Sequence, residues 1–588
     1  MAAIAFLYRR HVEEENPEKE YVQSTFGVNN KITGDYDKSL AVTCHNGTFV
    51  GTRQDDVMSF KGIPYAVQPT GRYRWKPVPV AEEDDGVYEA YYYGKSPIQT
   101  EAASERASYY EQGEECLHLN IWNNQKNPDT RKPVMVFIHG GSYGWGGTSD
   151  PLYDGQNFAK AHDDVILVTI GYRTGIMGFI DLSSFPDGEE YKESGNLGLL
   201  DQVTALRWIQ QNITAFGGDP GNVTIFGESA GAGSATLLPL VKGTQGLFHR
   251  YIAQSGSVSL TFSREESQEL TRKLKKETGA KTVKELMALD TASLKEINEK
   301  LNDYNIFPER DGVVLPEDPY AAYQNGAAKD IDIMIGSNED GMRYFMQEVG
   351  GVNNYKLIIP VLYESNIKGI SHPDRENIRM IFRKIRMDRP WRVTEFYNET
   401  IFRLPAIAVA ESHAKAGGNT YMYYWKYPSA HPDWGACHAV ELAYVFNNLD
   451  QTIYTGDNID PQLAANVQDM WVNFAKTGNP STSELEWKQY DPVQRETMIL
   501  DSTCYMEKNP KALQRELLFS LNKYYLNGNY HNLSLNVPII YRYALSTTIL
   551  LGIITLISLG IRKWSKRSRK QKDEEVISDV LVKRYKTS

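Results

Sequence analysis

The stretch Asn222-Val-Thr-Ile-Phe-Gly-Glu-Ser-Ala-Gly231 constrains this chain more than any other. A short β-branched, apolar run meets Gly-x-Ser-x-Gly and passes into residues of helical composition. A serine lifted clear of a strand end must sit in a strained turn, so the residues two before and two after it must lack side chains. Gly227 and Gly231 meet that demand and leave Ser229 at the tip of the turn.

The rest of the pattern alternates strands with helices. Val134 to Ile138, Val165 to Ile170, Val223 to Phe226, Tyr251 to Gln254, Ile331 to Ile335 and Tyr421 to Trp425 read as buried strands. Helical stretches are expected at 199–214, 374–386, 400–416 and 462–476, with a charged helical insertion over 263–302. That alternation predicts an α/β fold with a central, mostly parallel sheet flanked by helices. Residues 40–75 suggest a strand meander, and the tyrosine-rich stretch 78–113 a long loop or lid.

With 588 residues and a net charge of −11, the chain has no extended basic face for nucleic acid. Cys44, Cys116, Cys437 and Cys504 are too scattered for a disulfide scaffold or a CxxC metal site, and each reads as a free thiol. No metal site is expected. The first ten residues make no convincing export signal, because the apolar run is short and its arginines follow it.

The far end differs. Ala544 to Ile561 carries no charge, lies between Tyr541, Tyr543 and Trp564, and runs into Arg-Lys-Trp-Ser-Lys-Arg. About 20 apolar residues cross a bilayer as a helix. The expected organisation is a polar lead-in at 1–39, the α/β domain at 40–530, a stalk at 531–542, a transmembrane helix at 543–561 and a basic tail at 562–588. Ten Lys/Arg against four Asp/Glu in that tail favour a cytoplasmic tail and an outer domain. The lack of an export signal points the other way, so the orientation stays open.

A serine hydroxyl becomes a good nucleophile when a base removes its proton, and an acid commonly holds that base. In folds of this kind the three follow in the order serine, acid, histidine. Here Ser229 precedes Glu339 and Asp340, just past the Ile331–Ile335 strand, and then His438. The glycine-rich loop His139–Gly147 can aim backbone N–H groups at a developing oxyanion. It lacks the Gly-Lys-Ser/Thr of a phosphate loop.

These residues carry a resemblance. Phe60–Ala66, Glu115–Trp122, His139-Gly-Gly141, Gly195–Asp201, Phe216–Gly231, Gln254-Ser-Gly256 and Trp471–Pro480 make the chain similar to the type-B carboxylesterase and cholinesterase family from about residue 40 to 501. The resemblance implies an α/β-hydrolase fold and hydrolysis of carboxylic esters without cofactor. Ser229 would attack the acyl carbon and His438 would act as base, then acid. Gly141, Ser142 and Ala230 would offer the oxyanion N–H groups, and Glu228 would place negative charge in the gorge.

Two departures stand out. Ser142 occupies a position where relatives usually have glycine. More consequential, Gly336-Ser-Asn-Glu-Asp-Gly341 aligns so that Gly341 stands where the triad glutamate is expected, leaving Asp340 or Glu339 to substitute. Loss of the acid alone costs about four orders of magnitude in turnover. The stretch 76–121 holds no tryptophan, which argues against choline esters. Two functions are therefore expected: a membrane-anchored esterase of uncharged or hydrophobic esters, or a catalytically weak binding or adhesion module laid out like the neuroligins. Oligomeric state is not legible.

Overall fold

The computed structural model describes residues 25–99, 109–126, 130–301, 306–347 and 389–519, with parts of helices within 373–380 and 555–571. Fourteen strands follow in order among them. They are β1 (Ala41–Cys44), β2 (Gly47–Val50), β3 (Thr52–Gln54), β4 (Val57–Pro64), β5 (Val87–Glu89), β6 (His118–Asn124), β7 (Lys132–Ile138), β8 (Ile166–Ile170), β9 (Gly218–Glu228), β10 (Arg250–Gln254), β11 (Asp332–Asn338), β12 (Thr420–Trp425), β13 (Glu496–Leu500) and β14 (Tyr505–Lys508).

Eleven of them form one sheet in the order β14-β13-β12-β11-β10-β9-β7-β8-β6-β4-β3. The centre, from β8 through β7, β9, β10, β11 and β12 to β13, is parallel throughout. Both ends turn antiparallel. Central strands are buried on both faces, so they are uniformly apolar: β8 reads Ile-Leu-Val-Thr-Ile with every residue buried. Strands β1, β2 and β5 make a small separate sheet, and β5 falls inside the stretch expected to be a loop.

Helices cover both faces of the sheet. The two cores they enclose share the sheet as a partition, with alternate residues of β7 assigned to each: Val134, Val136 and Ile138 on one side, Met135 and Phe137 on the other. The helix Leu197–Asn212 packs on the first face, and Pro461–Thr477 on the second. The charged insertion resolves into helices Arg264–Thr278, Val283–Met287 and Thr291–Leu301, the first opened by a Ser263/Glu266 capping box.

A buried ion pair ties the segment after β8 to the helix Leu197–Asn212. Arg173 grips Asp201 through Nε and Nη2 at 2.7 and 2.6 Å, with both side chains essentially inaccessible. All four cysteines are free. Asn398, which begins an Asn-Glu-Thr sequon, is 1% exposed and its amide donates to the Asn338 and Glu339 carbonyls, so in the folded chain it is not a glycan acceptor.

The expected membrane span at 543–561 lies mostly outside the described residues. Among those that are described, no helix is long and apolar enough to cross a membrane.

Candidate active site

Strand β9 ends at Glu228, and the helix Ala230–Leu237 begins one residue after Ser229. Ser229 itself has φ 56° and ψ −119°, a strained conformation that the neighbours enforce. Its amide donates to the Gln254 carbonyl at 2.8 Å, fastening the turn to β10. A Cβ on Gly231 would come within 1.9 Å of the Ile138 carbonyl oxygen, so the helix can approach the end of β7 only because that residue is glycine.

The end of β7 delivers the second element. His139 stacks on Tyr172 with centroids 4.4 Å apart, and the Tyr172 hydroxyl donates to the His139 carbonyl. The chain then turns through Gly141, Ser142 and Tyr143, all at positive φ, with the Gly144 and Trp145 amides both donating to the Gly141 carbonyl. The Gly141 and Ser142 amides make no hydrogen bond within the described residues. Ala230, first in its helix, has no intrahelical acceptor. Ser142 keeps its backbone donor, with its side chain exposed.

His438 approaches from the loop after β12. It is 5% exposed and lies between two aromatic rings, Phe402 stacked at 4.8 Å and Phe345 tilted at 5.2 Å. Nε2 sits 3.0 Å from Glu228 Oε1. Burial pulls the imidazole down to about 3. Neither ring nitrogen makes a hydrogen bond of good geometry, so no such bond joins Ser229 to His438 in this arrangement. In unliganded sites such bonds are often long and tighten when substrate arrives.

The acid loop behaves differently from its alignment. Glu339 is paired with Lys511 at 3.5 Å, and Lys511 also holds Glu395 at 2.9 Å. Asp340 is bound by Arg343 at 2.7 Å and accepts from the Ala436 amide. Burial raises the Asp340 carboxyl above the usual range, opposed by Arg343. Neither carboxylate forms an ion pair or hydrogen bond with His438. A Cβ on Gly341 would meet Asn398 Oδ1 at 2.8 Å and the Phe402 ring at 3.3 Å, so the expected glutamate's place is filled from the neighbouring helix.

Sequence reasoning missed that filling. Phe402 lies in a π-helical turn, Glu399–Arg403, where the Leu404 amide reaches back five residues to the Glu399 carbonyl. The following Pro405, without an N–H, was the available signal of an irregular helix. Also unforeseen was Glu441, buried three residues past His438 and held by Gln254 and Asn338 amides.

A serine on a strained strand-to-helix turn, at the end of a central parallel strand and next to a glycine-rich loop, defines an α/β-hydrolase of the serine type. Residues 38–518 match the profile of the carboxylesterase family. The chain belongs to that family, and so to the carboxylic ester hydrolases. It is 36% identical over 497 residues to the para-nitrobenzyl esterase of Bacillus subtilis (strain 168), covering 81% of this chain and 98% of that protein. It is 31% identical to liver carboxylesterase B-1 of Rattus norvegicus, covering 78% and 88%. Among solved structures, the Geobacillus stearothermophilus carboxylesterase EST55 superposes with a TM-score of 0.74 at 32% identity, covering 81% of this chain and 99% of that one.

Proposed function

We propose that this chain is a membrane-anchored serine carboxylesterase acting on uncharged or hydrophobic esters through an acyl-enzyme on Ser229. The observation that carries this reading is the strained Ser229 turn, together with the Gly141, Ser142 and Ala230 amides that have no acceptor among the described residues. Ser229 Oγ adds to the ester carbonyl as its proton passes to His438, and the carbonyl oxygen takes up negative charge facing the Gly141, Ser142 and Ala230 N–H groups. His438 returns the proton to the departing alkoxide. Water then repeats the sequence and releases the acid. The reaction calls for no metal or organic cofactor.

The acid is where this site departs from the usual layout. Asp340 and Glu339 remain the acid loop's candidates, and both are engaged by cations in this conformation. Slow turnover is the expected consequence. A second reading, a weakly active binding module, draws on one observation: Phe402 and Asn398 crowd the position where the acid would stand.

For the anchor, support comes from Ile557, Leu559, Ile561 and Trp564, large apolar side chains exposed on the described helical pieces. Retention of the full chain in membranes after alkaline carbonate extraction is the expected outcome, and release into the supernatant would remove the anchor. The catalytic reading is tested with a fluorophosphonate probe and a p-nitrophenyl ester on the full chain. Both signals should be lost in Ser229→Ala with folding kept. Equal labelling of the variant would place the nucleophile elsewhere.

A further inference from the structure

We propose that Glu228, on the nucleophile's own turn, supplies the carboxylate that stabilises protonated His438, while Phe345 and Phe402 hold the imidazole plane. The proposal rests on the reading of Ser229 and His438 as the working pair. A triad acid performs two tasks: it fixes the imidazole's orientation and it stabilises the cation formed when serine's proton arrives. Here the two tasks fall to different residues.

Carboxylates from three elements lie near the loop that carries His438: Glu441, Asp340 and Glu228. Glu441, on the segment after His438, is held by the side-chain amides of Gln254 and Asn338. Asp340, on the acid loop, is held by Arg343 and the Ala436 amide, and Glu339 beside it by Lys511. Among the described residues, Glu228 alone reaches His438, with Oε1 3.0 Å from Nε2 and both side chains buried. The elements packed on the ring faces contribute Phe345 and Phe402, which carry no charge.

The location suits the chemistry. A Cβ on Gly140 would meet Glu228 Oε2 at 3.0 Å and Ser229 Cβ at 3.1 Å, so carboxylate, nucleophile and oxyanion loop converge on one point. As the Ser229 O–H bond breaks and Oγ–C forms, the proton becomes the imidazolium N–H, facing a fixed negative charge from which water is excluded. Glu228 stays ionised, and His438 passes the proton to the leaving oxygen. Because Glu228 lies on the same ring edge that receives the proton, it cannot brace the imidazole from behind. The stacked phenylalanines do that instead.

The test uses the full chain in detergent micelles, histidine labelled with 13C, His438 assigned by His438→Gln. The His438 titration and p-nitrophenyl acetate hydrolysis are followed in wild type, Glu228→Gln, Glu228→Asp, Asp340→Asn and Glu339→Gln. Glu228→Gln should lower the His438 midpoint, since a nearby anion favours the imidazolium. The acidic limb of kcat/KM should move the same way, and kcat should fall on the order of a hundredfold with little change in KM. Glu228→Asp should recover part of both effects, which a merely structural residue would not do.

A His438 midpoint unmoved by Glu228→Gln, or moved more by Asp340→Asn or Glu339→Gln, overturns the proposal. If the midpoint falls but wild type neither hydrolyses ester nor labels at Ser229, the Glu228–His438 pairing stands and it is the esterase reading that fails.

Discussion

Phe402 stacks on His438 with 24° between the ring planes, and the same phenylalanine ring would lie 3.3 Å from a Cβ on Gly341. One side chain thus both stacks on His438 and crowds the Cβ direction of Gly341.

Restoring the acid by Gly341→Glu should therefore fail on its own. The new side chain collides with Asn398 Oδ1 and Phe402, at a cost of about 1 to 3 kcal/mol for overpacking. The expected outcome is a lower Tm with no gain in kcat. In the Phe402→Ala background the same substitution should raise kcat above Phe402→Ala alone. A gain in kcat from Gly341→Glu by itself would mean that the site has room that the structure denies.

The elbow should tolerate nothing larger than glycine at 231. Gly231→Ala places a methyl 1.9 Å from the Ile138 oxygen, a contact that only movement of the helix or of β7 can relieve. A loss of about 3 kcal/mol or more is expected in urea unfolding. An unfolding midpoint equal to wild type would show that the two elements are not in firm contact.

Asp201 should prove indispensable without touching substrate. It receives three N–H donors of Arg173 in a site closed to water. Asp201→Ala strands that guanidinium, at about 3 to 5 kcal/mol. The readout is the yield of folded protein together with its unfolding midpoint. Removing both charges, as in Arg173→Met with Asp201→Leu, should cost less than Asp201→Ala alone.

Stability should also fall in mild acid. Burial pulls His139 down to about 4 and lowers His413, whose Nε2 hydrogen-bonds the Ala328 carbonyl and whose Nδ1 hydrogen-bonds Thr420. Both groups have folded values below the unfolded 6.5, so the unfolded chain binds more protons as pH drops beneath it. Each then removes about 1.4 kcal/mol per pH unit until its folded value is reached. Urea midpoints at pH 7, 6 and 5 should decline in that order, and less steeply in His139→Asn. A flat series would contradict the burial of these rings.

The amino-acid sequence determined the sheet, the elbow and the amide-rich loop, because each rests on local chemistry. Apolar runs such as Val134–Ile138 can only be buried strands, and glycine at 227 and 231 is what a serine on a strained turn requires. That His438 follows Ser229 and the acid loop was legible as chain order. The resemblance also placed Gly341 where a glutamate is expected, with Asp340 or Glu339 left to substitute. It could not show what came instead, since Asp340 and Glu339 are adjacent on the chain but are drawn to Arg343 and Lys511, cations that the fold delivers. Only the tertiary structure decided that Phe402, 61 residues beyond Gly341, fills the gap, and that Glu228 of β9 is the carboxylate next to His438. Partners of a buried charge are set by whichever groups the packing brings within about 4 Å, and no spacing along the chain records that.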